Sequence, residues 1–115
     1  MKRGNIVLIK YPCTDLSSSK VRPALIISSD AFTNSSEDAI FAFISSRTDN
    51  RQSTDFLLNQ SHPEFLKSGL RKSSLIKTGK IASLSKSLAS RLLGEVSPEI
   101  MREINKSLKQ VLNLN

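Results

Sequence analysis

A guanidinium held between a polar loop and an apolar strand can grip a phosphate, and the sequence puts one such group at Arg22. The run Lys20-Val21-Arg22-Pro23-Ala24-Leu25-Ile26-Ile27-Ser28-Ser29 follows the stretch Thr14-Asp15-Leu16-Ser17-Ser18-Ser19. The earlier stretch is polar and can bend. Ala24 to Ile27 is apolar and β-branched, which predicts a buried strand. Pro23 lacks a backbone N–H and suits the first residue of that strand. Arg22 then stands at a rigid edge beside a loop, where its planar fork can meet two phosphate oxygens. On these residues alone it also fits a surface arginine that opens a strand.

Other reactive side chains are sparse. Cys13 is the only cysteine and His62 the only histidine. An internal disulfide is therefore ruled out, no cluster suggests a metal site, and a reducing, cytoplasmic setting is expected. His62 sits between Ser61 and Pro63, at what reads as the start of a helical turn away from Arg22. Cys13 has no histidine beside it and reads as a small filler or an incidental thiol. The apolar run Ile6 to Ile9 is too short for the core of a signal peptide or for a membrane span.

Charge is uneven. Seventeen basic residues face ten acidic ones, for a formal charge of +7. From Lys67 to Arg91 every charged residue is basic: Lys67, Arg71, Lys72, Lys77, Lys80, Lys86 and Arg91. Such a segment favours a polyanion, either nucleic acid or an acidic protein tail, and equally serves as a solvated face.

The elements that must position these groups are short. Ile6-Val7-Leu8-Ile9 predicts a first strand, broken at Tyr11-Pro12, and Arg22 to Ser29 a second. Ala31 to Asp38 reads as a polar connection. Ala39 to Ile44 is apolar on both faces and predicts a central strand. After a polar loop from Ser45 to Ser53, Asp55 to Leu58 predicts a fourth strand. A helical turn capped by Ser61 and ended by Gly69 follows, then a fifth strand over Ser73 to Lys77. Ile81 to Leu93 fits a helical turn near Ser85 to Ala89 and then a sixth strand through Arg91 to Val96. Ser97, Pro98 and Glu99 start a helix by capping, fixed φ and charge. Ile100, Met101, Ile104, Leu108, Val111 and Leu112 form its apolar stripe. Phe41 and Phe43 read as core. Together these predict one domain over 1–115, mainly β with α: five to six antiparallel strands in a small barrel-like sheet under a helical lid.

The ordered set Arg3-Gly4-Asn5-Ile6-Val7-Leu8, Arg22-Pro23-Ala24-Leu25-Ile26-Ile27, Ile44-Ser45-Ser46, Gly69-Leu70, Ser73-Ser74-Leu75-Ile76 and Ile81-Ala82-Ser83-Leu84 closes on that capped helix. From about Lys2 to Leu112 it resembles the MazF/PemK (Kid) toxins of bacterial toxin–antitoxin systems. The resemblance implies an SH3-like barrel with a C-terminal helix and a homodimer. It also implies a metal-independent endoribonuclease, needing no cofactor, that cuts single-stranded messenger RNA into 2′,3′-cyclic phosphate and 5′-hydroxyl ends.

By the same resemblance, Arg22 matches the active-site arginine of the Arg-Pro motif. Ser45 stands where relatives often carry a catalytic threonine after the third strand, with Ser46 its neighbour and rival. Ser17, Ser18, Ser19, Lys20, Ser46 and Lys77 are the expected RNA contacts. The Kid-like branch uses a first-loop histidine and an Arg-x-Asp pair on the fifth strand. This chain has no such histidine and reads Lys77-Thr78-Gly79 there. Arg22 and Ser45 are therefore left as the catalytic set, as in the MazF-like branch, or cleavage is slow or absent. The implied partners are single-stranded RNA and a cognate antitoxin with an acidic tail. The alternatives are a catalytically silent module that binds RNA or antitoxin, and a CcdB-like gyrase toxin. The last depends on a tryptophan near the C-terminus, and this chain has none.

Overall fold

The apolar runs fold into a sheet that is buried on both faces. The computed structural model describes residues 1–11 and 20–115. Its strands are β1 (Asn5–Tyr11), β2 (Lys20–Ile26), β3 (Asp38–Ser45), β4 (Asp55–Leu58), β5 (Ser74–Ser85) and β6 (Ala89–Glu95). They pair antiparallel in the order β4-β5-β3-β2-β1-β6. β3 is central, as its two apolar faces require. β4 and β6 are the two edges, so the barrel-like sheet is not closed. The mainly-β fold with a C-terminal helix stands as expected.

Strand alternation sorts the core into two layers. Ile6, Leu25, Ala42, Ile44 and Ile76 pack on one side with Leu58, Phe65 and the helical residues Ile100, Met101 and Ile104. Val7, Ile9, Ala24, Ile26, Ala39 and Phe41 pack on the other.

Helix α1 (Asp30–Ser35) lies in the segment expected to be only a polar connection. It is too short to show an apolar period, so local hydrogen bonds specify it instead. Ser29 Oγ accepts from the Phe32 N–H at 3.1 Å. The buried hydroxyls of Ser28 and Thr33 meet at 2.7 Å. β2 stops three residues before the expected Ser29. Its ladder ends where the Ile27 and Ser28 amides both donate to the Ile40 carbonyl, at 2.9 and 3.3 Å.

Helix α2 (Phe65–Ser68) is preceded by Glu64, not Ser61, at the cap position and ends at Gly69. Glu64 also reaches the next helix, where its carboxylate accepts from the Ser97 N–H at 2.9 Å and from the Ser97 hydroxyl. Ser97 Oγ in turn accepts from the Ile100 N–H at 3.2 Å and caps helix α3 (Pro98–Leu112) as expected. The Glu99 carboxyl lies below its ordinary range, chiefly through its own backbone N–H and then through Ser97. Of the apolar stripe, Ile100, Met101 and Ile104 are buried, whereas Val111 and Leu112 in the last turn remain exposed. Arg3 ties the start of the chain to this helix. Its Nε donates to the Ile27 carbonyl at 2.8 Å and its Nη2 to Asn105 Oδ1.

β5 runs on from the expected fifth strand to Ser85. A single 3₁₀ turn (Lys86–Leu88) then leads into β6, close to where a turn and strand were expected. Among the described residues no helix is long and apolar enough to cross a membrane.

The end of α2 presses against β6. A Cβ on Gly94 would stand 2.2 Å from the Lys67 carbonyl oxygen, and one on Gly69, already at φ +74, would stand 2.1 Å from that of Leu93. Backbone cannot yield as a side-chain tip can. Gly94→Ala is expected to cost about 2–4 kcal/mol. Gly79→Ala, with nothing within 4 Å of the added carbon, is expected to stay within about 0.5 kcal/mol of the parent. Urea unfolding of the two variants checks the contrast.

Candidate nucleic-acid interface

The site opens where two neighbouring strands part. Backbone groups alternate sides along a strand. Because the Ile27 N–H donates to Ile40 on β3, the donors of β2 that face β3 belong to residues 27, 25 and 23. Residue 23 is proline and has no donor. The β2–β3 register accordingly runs from Ile26 to Ala24 and goes no further. β1 still pairs with Pro23, Arg22, Val21 and Lys20, while β3 still pairs with β5 through Ser45. Pro23 is thus the fourth residue of β2, not its first, and it ends one ladder within the strand.

An open cleft of about 540 Å³ occupies this gap. Arg22 reaches it from β2, Phe43 and Ser45 from β3, and Lys77 and Lys80 from β5. Phe43, expected purely as core, packs on the second apolar layer and also lines the cleft. The β3–β5 register slips here, with Phe43 opposite Lys77 but Ala42 opposite Ile81. Bulges of this kind re-aim side chains, and this one follows Lys77 and contains Lys80.

Arg22 also lines a second cleft of about 400 Å³ with Lys20, Pro23 and Ser46. Val21, Pro23 and Ser46 continue into a third of about 450 Å³, where Arg71, Lys72 and Arg91 are added. Among the described residues no acidic side chain lines any of the three. The result is a continuous basic track with apolar patches from Phe43, Leu70 and Leu93.

Five expected site residues therefore come together: Arg22, Ser45, Lys77, Lys20 and Ser46. Ser17, Ser18 and Ser19 lie outside the described residues, as does Cys13. Arg22 is exposed, and no described residue pairs with its guanidinium. Ser45 Oγ accepts from the Arg47 N–H at 3.1 Å, which leaves its hydroxyl proton available to donate. In the loop beyond, Asp49 is held below the ordinary carboxylate range, mainly by its own backbone N–H and then by Arg47. His62 lines none of the three clefts; its Nδ1 accepts from the Glu64 N–H at 3.0 Å in the turn before α2.

Lys77 is not a lone point charge. Its Nζ lies 2.9 Å from Asp55 Oδ2, with the carboxylate side chain 3 % exposed and the lysine 16 %. Asp55 Oδ2 also accepts from the Gln52 N–H at 2.9 Å. Sequence reasoning missed Asp55, because its tie to Lys77 depends on the β4–β5 register, which sets the two residues opposite each other. It also passed over Lys80, Arg71, Lys72 and Arg91 as individual contacts, although all four stand in the acid-free segment.

The model of the family described as PemK-like, MazF-like toxin of type II toxin–antitoxin system matches residues 2–112. The chain belongs to this family. Among solved structures, this MazF-like chain is similar to an endoribonuclease in complex with its cognate antitoxin from Mycobacterial species, with 24 % identity, TM-score 0.75, and coverage of 100 % of this chain and 97 % of that one. It is similar to MazF in a MazE–MazF crystal from Deinococcus radiodurans, with 18 % identity, TM-score 0.79 and coverage of 100 % and 97 %. It is also similar to the Mycobacterium tuberculosis toxin MazF-mt6, with 14 % identity, TM-score 0.77 and coverage of 96 % and 98 %. At these identities the likeness is one of fold. No curated protein matches the chain.

Removing the ammonium from the Lys77–Asp55 pair leaves a desolvated carboxylate unpaired. Lys77→Met is expected to lower stability by about 2 kcal/mol, and Asp55→Asn added to it is expected to restore most of that loss. Urea unfolding of the single and double variants checks it.

Proposed function

We propose that this MazF-like chain is the endoribonuclease toxin of a toxin–antitoxin system and that it cuts single-stranded messenger RNA without a metal or cofactor. The observation that carries the reading is the meeting of Arg22, Ser45 and Lys77 in one open cleft within a basic track. The activity named for the structural relatives agrees with it.

RNA brings its own nucleophile. The 2′-oxygen attacks the adjacent phosphorus, the O2′–P bond forms, and the P–O5′ bond breaks. The 2′-hydroxyl gives up its proton and the departing 5′-oxygen receives one, leaving 2′,3′-cyclic phosphate and 5′-hydroxyl ends. Negative charge gathers on the non-bridging oxygens, where fixed donors act best. Arg22 offers two parallel N–H groups, the Ser45 hydroxyl a third donor, and Lys77 an ammonium. The attack needs the 2′-oxygen in line with the leaving oxygen, and an unpaired strand can rotate into that geometry. Lys20 and Ser46 hold the flanking backbone, and the reading counts Ser17, Ser18 and Ser19 among the RNA contacts.

The same track suits an antitoxin whose acidic, extended segment covers the clefts and excludes RNA. The solved relatives bound to antitoxin support that partner. The reading includes a homodimer working in the cytoplasm, where messenger RNA lies.

Arg22→Ala is expected to lower the cleavage rate on a long single-stranded RNA by at least about 100-fold, and Ser45→Ala by about tenfold, with unfolding transitions unchanged. Chelator leaves the parent rate unchanged and the products carry cyclic phosphate. Full activity of Arg22→Ala would falsify the mechanism. RNA retention without cleavage by the parent protein would favour a silent binding module, and gyrase inhibition with neither would favour a CcdB-like toxin. Sedimentation at micromolar concentration is expected to give twice the chain mass; a monomer mass alone rejects the dimer.

A further inference from the structure

Behind Lys77 stands a buried carboxylate that the proposed chemistry does not use. We infer that Asp55 is the positioning residue of the cleft: its carboxylate fixes the Lys77 ammonium where a phosphodiester held by Arg22 meets it. The inference rests on the endoribonuclease reading and names a further residue of the same site.

Three observations carry it. Asp55 and Lys77 are direct cross-strand partners on β4 and β5, so the backbone register already points one at the other. The accepting oxygen is itself held, since Asp55 Oδ2 takes the Gln52 N–H as well as the Lys77 Nζ. Next to the pair, Thr78 Oγ1 donates to the Thr54 carbonyl at 2.9 Å and ties β5 to the start of β4 at the same level. A lysine on a flexible stem would otherwise sample many rotamers. Held this way, its ammonium spends one N–H on the carboxylate and keeps two for phosphate oxygens.

Electrostatics divides the labour. Seen from a distance the pair is nearly neutral, so drawing RNA in falls to Arg22, Lys20, Lys80 and the third cleft. Lys77 acts at contact, where its fixed direction matters and net charge matters less. The negative charge of Asp55 stays out of the phosphate's way only while the ammonium stands between them.

The test compares single-turnover cleavage and RNA retention for the parent, Asp55→Asn, Lys77→Met and the double variant, with thermal unfolding of each. Asp55→Asn keeps shape and the acceptor for Gln52; it is expected to slow cleavage about tenfold while RNA retention stays within about threefold. Lys77→Met slows cleavage at least as much and also weakens retention, because the bare carboxylate now faces the phosphate. Added to Lys77→Met, Asp55→Asn costs no further rate and returns the retention. A merely structural Asp55 would cost the same in both backgrounds; that result, or parental cleavage by Asp55→Asn, overturns the inference. If Asp55→Asn alone does not fold, the double variant against Lys77→Met carries the comparison, and unchanged retention between those two overturns it. Arg22→Ala run alongside separates the two readings. Its full activity sinks the nuclease mechanism, while the retention comparison still decides the role of Asp55.

Discussion

A missing hydrogen-bond donor shapes this protein. Pro23 lies where β2 owes its next N–H to β3, and a ladder that cannot be continued on one side lets the two strands part. β1 still holds the far side of β2, so the parted stretch remains a strand and does not become a loop. The gap therefore has rigid walls. Arg22 stands on one of them, one residue before the proline, and Ser45 on the other. An arginine on a loose loop would lose conformational freedom on gripping a phosphate; here the backbone has already lost it.

The opposite wall depends on a second irregularity. The slip between β3 and β5 follows Lys77 and precedes Ile81, which sets two lysines beside the gap. One of them is restrained by Asp55 and the other is exposed. The cleft thus holds one cation paired with a buried carboxylate and two that stand open to solvent. A buried ion pair is weak evidence for stability, and here its effect is to hold the Lys77 ammonium against β4.

Stability is built elsewhere, so the parted strands cost the fold little. Helix α3 buries Ile100, Met101 and Ile104 against the sheet, each fully buried side chain contributing about 1.5–3 kcal/mol. Two polar ties lock the helix in place: Arg3 to Asn105, and Glu64 to the Ser97 cap. The close approach of α2 to β6, possible only with glycine at 69 and 94, carries the chain to Arg71 and Lys72 at the third cleft.

What the chain settles by itself is whatever depends on neighbours in sequence. The strands over 38–45 and 55–58 lie within a residue of the apolar runs that predict them. The start of α3 follows from Ser97, Pro98 and Glu99, because capping is an exchange of hydrogen bonds across three residues. The ordered motifs place the chain among MazF-like proteins. Helix α1 stayed hidden because six residues show no period, and the buried contact between the Ser28 and Thr33 hydroxyls forms only once the chain has turned. The partnership of Asp55 with Lys77 spans 22 residues, and the shared cleft of Arg22, Ser45 and Lys77 joins three separate strands. Only the tertiary structure decides these. Strand register is set by packing between distant segments, and a slip of one residue would turn each of those side chains to the other face.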